Sequence, residues 1–197
     1  MCSIQYYVIK FVSDFRQVGG FLWVLRFSFT NKTYRHDITV ILLKVELNIL
    51  THYTFRGYYI RATAIDYILN KFLSSTSSKK QILSLGAGFD SAYFRLKSDE
   101  RIDDVVFCEI DFPDVVKRKH TVISKNTKLN NLIPGYFTQS EKEDPLIEIN
   151  TEGYKLLGVD LTQHNTLEAL LKLCGVDFDL PTLLLSECVL TYMTKRW

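Results

Sequence analysis

The sequence contains few cysteines, and none of them is placed as a metal ligand or a redox pair would require. The four are Cys2, Cys108, Cys174 and Cys188, and no two form a C-x-x-C pair. No histidine stands at ligand spacing from them, so we expect no metal site and in particular no zinc site. Cys108 and Cys188 lie within apolar segments, which predicts buried free thiols and a reducing, cytoplasmic compartment.

A long apolar run and a strong excess of charge are also missing. A membrane-spanning helix needs roughly 18 apolar residues, whereas the candidate stretch, residues 20–25, ends at Arg26. Asp14 and Arg16 interrupt the N-terminal region, so we expect neither a signal peptide nor a membrane partner. The formal net charge of +2 neither supports nor excludes an acidic partner such as tRNA. The length of 197 residues suits one domain.

The segment around which the chain is organised, residues 81–91, joins a short apolar run to two glycines. Residues 82–85 are typical of a buried strand. Gly86 and Gly88 then allow backbone angles that let a ligand approach the main chain, and a helix is predicted at 92–97. This arrangement is the first half of a nucleotide-binding unit, although Ser91 replaces the third glycine of the dinucleotide pattern. An ordinary tight turn is the alternative.

Each of three later predicted strands contains a carboxylate at or near its carboxyl end. Asp111 ends the strand at 105–111, and Asp160 lies near the end of the strand at 154–161. Glu187 falls inside the apolar strand at 181–190, where a carboxylate is costly to bury without a partner. Strands that alternate with helices predict an α/β fold with a parallel sheet, whose ligands bind outside the carboxyl ends of the strands. We therefore expect the glycines and the three acids to line one cleft.

The sequence also predicts the local structure of four other segments. Residues 56–73 repeat apolar side chains as an amphipathic helix does, with Arg61 beside the apolar stripe. The basic run 117–119 is expected to be a solvated helix face. Residues 124–153 are polar and poorly patterned, which favours a long loop or a partly ordered insert. The run at 38–43 fits a strand or part of a helix equally well.

Four separated motifs resemble the leucine carboxyl methyltransferase family. They lie at residues 56–61, 85–90, 109–113 and 184–193, and the resemblance covers roughly 56–194. It implies a Rossmann-like fold and S-adenosyl-L-methionine as the cofactor. Details around the glycine and proline motifs look closest to the branch of the family that acts in wybutosine synthesis. Residues 1–54 show no such resemblance, so we expect an atypical N-terminal segment there and a partial methyltransferase domain, truncated after its fourth strand, at 55–197.

The resemblance also implies roles for individual residues. Arg61 would pair with the methionine carboxylate of the cofactor, and Tyr192 would line the acceptor pocket; both are the candidate catalytic residues. The remaining candidates for cofactor binding are Gly86 and Gly88 at the methionine portion, Asp111 at the ribose, Asp160 with the Leu161 backbone at the adenine, and Glu187 at the amino and sulfonium end.

The implied activity is a carboxyl O-methyltransferase. Its expected acceptor is the carboxylate of a modified guanosine side chain in tRNA-Phe; the alternatives are the C-terminal leucine of a protein phosphatase catalytic subunit, or an incomplete chain that binds only the cofactor. Methyl transfer from a sulfonium to a carboxylate needs no metal and no general base, because the acceptor is already an anion. A NAD-dependent dehydrogenase is disfavoured by Ser91.

Overall fold

The computed structural model describes residues 6–13, 23–30, 40–43, 53–75, 79–138, 144–187, 189 and 193. The strands are β1 (Tyr6–Ser13), β2 (Trp23–Thr30), β3 (Val40–Leu43), β4 (Lys80–Leu85), β5 (Val105–Asp111), β6 (Ile147–Asn150), β7 (Tyr154–Gly158) and β8 (Thr182–Ser186). The helices are α1 (Tyr53–Leu73), α2 (Ala92–Ser98), α3 (Pro113–Lys125), α4 (Thr127–Asn130) and α5 (His164–Leu173), with a 3-10 turn at Tyr136–Thr138.

One sheet contains all of these strands, in the order β3-β2-β1-β8-β4-β5-β7-β6. The four strands predicted from the sequence, β4, β5, β7 and β8, lie together and are parallel. Numbered along the chain, these four follow the order 3-2-1-4, which is that of a Rossmann-like sheet. The predicted α/β fold is confirmed. Antiparallel pairing at the β1–β2, β2–β3 and β6–β7 contacts extends the parallel centre on both sides.

Helices cover both faces of the parallel strands. Successive strand residues point to opposite sides of the sheet, so a continuous apolar run places apolar side chains on both faces. Ile82 belongs to a core cluster shared with α1, α2 and α3, whereas its neighbour Leu83 belongs to a second cluster shared with α5. The predicted stripe of α1 is confirmed, since Ile65, Ile68, Leu69 and Phe72 are all buried. Within the described part of the chain, no helix combines the length and the apolarity that crossing a bilayer requires.

Of the two alternatives for residues 124–153, a long loop or a partly ordered insert, the long loop is wrong for the residues that the structure describes. The end of α3, helix α4, the 3-10 turn and strand β6 all fall in this range. The pairing of β6 with β7 shifts register between Ile147 and Ile149. These two residues consequently join different core clusters, although they stand two positions apart. An irregularity of this kind removes the period-two pattern by which a strand is recognised in a sequence.

The N-terminal region contributes strands to the same sheet. Of the two alternatives for residues 38–43, the described part, Val40–Leu43, is a strand. Strand β1 lies parallel to β8, with Tyr6 opposite Thr182 and Lys10 opposite Ser186. The division of the chain at residues 54 and 55 into two parts stays a prediction. Of the two thiols predicted to be buried, Cys108 is buried and forms no disulfide, whereas Cys188 lies outside the described residues. Cys174, for which the sequence made no such prediction, is also buried.

Candidate functional site

The two glycines after β4 differ in their surroundings. Both have positive φ, +69° at Gly86 and +52° at Gly88, a backbone region that L side chains rarely adopt. A Cβ on Gly86 would lie 2.1 Å from Cγ2 of Val189, whereas a Cβ on Gly88 would have no atom within 4 Å. Gly86 therefore allows the segment after β8 to approach the turn. Gly88 presents its backbone to open space, as a ligand-binding turn should.

Asp111 connects the end of β5 to this turn. Its Oδ2 accepts a hydrogen bond of 2.7 Å from the Gly88 N–H, and its Oδ1 accepts one of 2.7 Å from the Phe112 N–H. The carboxylate is only half-buried. Because an ionised carboxylate has about four acceptor positions, two bonds leave capacity for further donors. Asp111 thus fixes the turn and can still accept hydrogen bonds from a ligand.

Asp160 lies next to Asp111 at the edge of the sheet, two residues beyond the end of β7. The Val159 N–H donates to the Asp111 carbonyl at 2.8 Å, which holds the two strand ends together. Oδ1 of Asp160 accepts from the N–H and the hydroxyl of Thr162, at 2.9 and 2.8 Å. These two bonds favour the ionised form and lower the pKa of Asp160. Leu161 is half-buried against the α5 side of the core.

Glu187 follows β8, and its neighbour Ser186 pairs with Leu85, the residue before Gly86. The half-buried Glu187 is therefore at the same end of the sheet as the glycine turn. The order of the strands reverses between β4 and β8, and a reversal of this kind opens a crevice at the carboxyl ends. Ser186 is buried, and its hydroxyl has no hydrogen-bond partner among the described residues.

The structure places six of the seven predicted cofactor-binding residues, Leu161 among them, at one edge of the sheet. Of the seventh, Arg61, it describes only the backbone. Arg61 belongs to α1, which is joined to the amino end of β4 by a short link and therefore runs back toward the carboxyl edge. An ion pair of 3.1 Å between Asp66 and Arg95 connects α1 to α2. The Arg61 guanidinium and Tyr192 lie outside the described part of the chain.

Sequence reasoning missed a buried ion pair beneath the turn. Lys119 was expected to be solvated with its neighbours, yet it is 4% exposed and pairs with Glu109, which is 0% exposed. The prediction is wrong for Lys119 because the inner face of α3 packs on β5 and β7; Lys117 and Arg118 are exposed as expected. Burial raises the pKa of Glu109. Its position within an apolar strand was the available signal, since a buried carboxylate needs a partner.

A close contact between α3 and β7 also contributes to the shape of the edge. A Cβ on Gly158 would lie 2.9 Å from the Cα of Pro113, the first residue of α3. The Gly158 N–H donates to the Leu146 carbonyl at 2.7 Å. Glycine therefore lets the start of α3 lie directly against the end of β7. No cluster of three or more His, Cys, Asp or Glu side chains within the described ranges could hold a metal ion.

Comparison with known proteins gives a consistent family. A family model described as leucine carboxyl methyltransferase matches residues 24–196. Human tRNA wybutosine-synthesizing protein 4 is 43% identical over 143 residues, which are 70% of this chain and 21% of that protein. The leucine carboxyl methyltransferase 1 homolog of Arabidopsis thaliana is 40% identical over 139 residues, 70% of this chain and 41% of that protein.

Leucine carboxyl methyltransferase 1 of Rattus norvegicus is 36% identical over 142 residues, which are 72% of this chain and 42% of that protein. This chain thus spans between a fifth and less than half of the length of these relatives. The match to the family begins at residue 24, inside the N-terminal segment in which we saw no resemblance, so the resemblance predicted from the motifs was too short at that end.

Proposed function

The chain belongs to the leucine carboxyl methyltransferase family, and we propose that it binds S-adenosyl-L-methionine at the carboxyl edge of β4, β5, β7 and β8 for methyl transfer to a carboxylate. The observation that carries the proposal is the hydrogen bond that the Gly88 N–H donates to the Asp111 carboxylate. It places an acceptor with spare capacity against a turn whose open side would admit a ligand.

The residues present fit such a cofactor. A ribose diol offers two hydroxyl donors, and the Asp111 carboxylate retains acceptor positions for them. The buried Ser186 hydroxyl, without a partner among the described residues, is a further polar group that a ligand could satisfy. Phe89, which follows Gly88, and Phe112, which follows Asp111, are 58% and 57% exposed. Apolar rings at the rim of a site exclude water once a ligand covers them.

Each residue at the edge then has a proposed role. Asp111 accepts from the ribose hydroxyls, and the two glycines give the main chain access to the methionine portion. Asp160, held ionised by Thr162, accepts from the adenine amine beside the Leu161 backbone. Glu187 attracts the amino and sulfonium end, where positive charge is concentrated. Arg61 would pair with the methionine carboxylate as a planar fork of donors.

In this reaction the main task of the chain is to position the cofactor and the carboxylate acceptor. The bound cofactor supplies an electrophilic methyl group. A carboxylate acceptor arrives as an anion, so no residue has to remove a proton from it. The residues at the edge hold the two reactants in line and keep water away, which lowers the barrier because water stabilises the separated charges of the reactants. Arg61 and Tyr192, the proposed catalytic residues, would orient the cofactor and the acceptor respectively.

For the acceptor we propose the carboxylate of a modified guanosine side chain in tRNA-Phe. The identity to human tRNA wybutosine-synthesizing protein 4 and the details of the glycine and proline motifs support it. The second candidate is the C-terminal leucine of a phosphatase catalytic subunit, and the 40% and 36% identities to leucine carboxyl methyltransferase relatives support that one. Both acceptors present a carboxylate, so the same cofactor edge serves either.

Transfer of a radiolabelled methyl group from S-adenosyl-L-methionine separates the candidates. The chain is incubated with tRNA-Phe that carries the carboxylate precursor, and in parallel with the phosphatase catalytic subunit. Unmodified tRNA-Phe and a phosphatase that lacks its terminal leucine are the matched controls. Label in the precursor tRNA alone is the expected result. Label in the intact phosphatase alone would establish the second acceptor. If the chain binds the cofactor but labels neither acceptor, its function is cofactor binding without methyl transfer.

A further inference from the structure

The buried ion pair between Lys119 and Glu109 lies directly under the proposed cofactor site. Glu109 also accepts a hydrogen bond of 2.6 Å from the hydroxyl of Tyr154. Its other oxygen, Oε1, has no partner among the described residues, so Lys119 is what neutralises the charge. Removing two ions from water is costly, and a buried pair often gives no more stability than apolar side chains of similar volume. Stability alone therefore does not account for it.

The same ammonium reaches the glycine turn. Nζ of Lys119 donates to the backbone carbonyl of Asp90 at 2.8 Å. Asp90 is the last residue of the turn, and its Oδ1 accepts from the N–H of Ala92, the first residue of α2. Lys119 consequently fixes the point where the chain leaves the turn and enters the helix.

Two carboxylates of one strand thus hold the turn at two points. Glu109 and Asp111 stand two positions apart on β5 and point to the same face of the sheet. Asp111 holds the middle of the turn directly, through the Gly88 N–H. Glu109 holds its end indirectly, through Lys119 and the Asp90 carbonyl. The geometry of residues 86–90 depends on both.

We propose that Lys119 is a positioning residue for the cofactor, which keeps residues 86–90 in the conformation that binds S-adenosyl-L-methionine. This inference rests on the proposed function. The ammonium is buried beneath the turn and acts through the backbone that the ligand would touch. Loss of a hydrogen bond to a charged donor should weaken cofactor binding by about tenfold. The KM for the methyl acceptor should change less than the affinity for the cofactor, because Lys119 contacts Glu109 and the Asp90 carbonyl of the turn.

The test compares two variants in the 197-residue chain by hydrogen exchange and by titration with S-adenosyl-L-methionine. Glu109→Gln with Lys119→Met removes both charges, keeps an acceptor for Tyr154 and leaves no buried unpaired ion. Lys119→Arg retains a cationic donor and should recover part of the lost affinity. Ile123→Ala is the control for destabilisation, since Ile123 is buried on the same helix and its apolar side chain cannot bond to the turn.

In the double variant we expect the amides of Gly88 and Ala92 to exchange about tenfold faster and the cofactor to bind about tenfold more weakly, with β4 amides unchanged. The control should leave both readouts as in the parent chain. Unchanged amides, unchanged affinity or a double variant that does not fold would each overturn the inference. If the parent chain does not bind the cofactor, the proposed function is refuted. The two failures are distinguishable, because the exchange rates of the turn amides test the role of Lys119 without any cofactor.

Discussion

Gly86 and Gly88 stand one residue apart and have different physical tasks. Gly86 is required by packing, because the side chain of Val189 occupies the space where its Cβ would lie. Gly88 is required by backbone conformation and by access, because the space beside it is open. From the sequence both were expected to admit a ligand, and the difference could not be foreseen, since Val189 is distant in the chain.

Gly86→Ala should destabilise the fold. The added methyl group would overlap Val189 at a residue whose φ is already +69°, and overpacking of this kind costs about 1–3 kcal/mol. Urea unfolding followed by circular dichroism measures the change. An unfolding free energy within error of that of the parent chain would contradict the packing described at this glycine.

Gly88→Ala should act on binding more than on stability. Its φ of +52° imposes a conformational cost of about 1–2 kcal/mol on alanine, but no atom lies in the way of the methyl group. The methyl group would project into the space proposed for the cofactor. We expect a weaker affinity for S-adenosyl-L-methionine by titration calorimetry, and equal affinity would remove Gly88 from the site.

Asp160 gives a prediction about pH. Its folded pKa is lowered by the two hydrogen bonds from Thr162, so the stability it contributes is present above the unfolded pKa and is lost as the pH falls through the folded pKa. Thr162→Val removes the hydroxyl donor and should raise the pKa of Asp160. Carbon-13 NMR of the labelled carboxyl group measures it in both proteins, and identical titration midpoints would contradict the proposed cause.

At the scale of elements, the contact between α3 and β7 depends on Gly158. A methyl group there would meet the backbone of Pro113 at 2.9 Å, and a backbone atom cannot move aside as a flexible side chain can. Gly158→Ala should therefore cost about 1–3 kcal/mol in unfolding free energy and shift the start of α3 together with Asp111. Alanine at Gly153, where a Cβ would meet nothing within 4 Å, is the matched control.

Elements with a regular pattern were predicted from the sequence, and irregular ones were not. Strand β5 was expected at 105–111, the range it occupies, and α2 ends one residue beyond the predicted 92–97. The predicted end of β7 at residue 161 was three residues too late. Strand β6 was missed because its bulge puts Ile147 and Ile149 on different faces. The burial of Lys119 was missed because a basic run is ordinarily solvated.

At the scale of the whole molecule, the order of the strands in the sheet determines where the candidate site lies. The sequence predicted four parallel strands, but their order and the place of β1 beside β8 depend on contacts between distant residues. That order puts the reversal between β4 and β8, so the glycine turn and Glu187 come to one end of the sheet. The acids could be recognised as strand-end residues from the sequence, whereas the hydrogen bond between Asp111 and Gly88 required the structure.

Titration calorimetry with S-adenosyl-L-methionine, applied to the parent chain, Asp111→Ala and Asp114→Ala, tests the central claim most directly. Asp114 is the matched control, because it is an exposed acid three residues further along. We expect the parent chain and Asp114→Ala to bind alike, and Asp111→Ala to bind at least about tenfold more weakly. No heat from the parent chain at millimolar cofactor, or equal binding by Asp111→Ala, would contradict a cofactor site at this edge of the sheet.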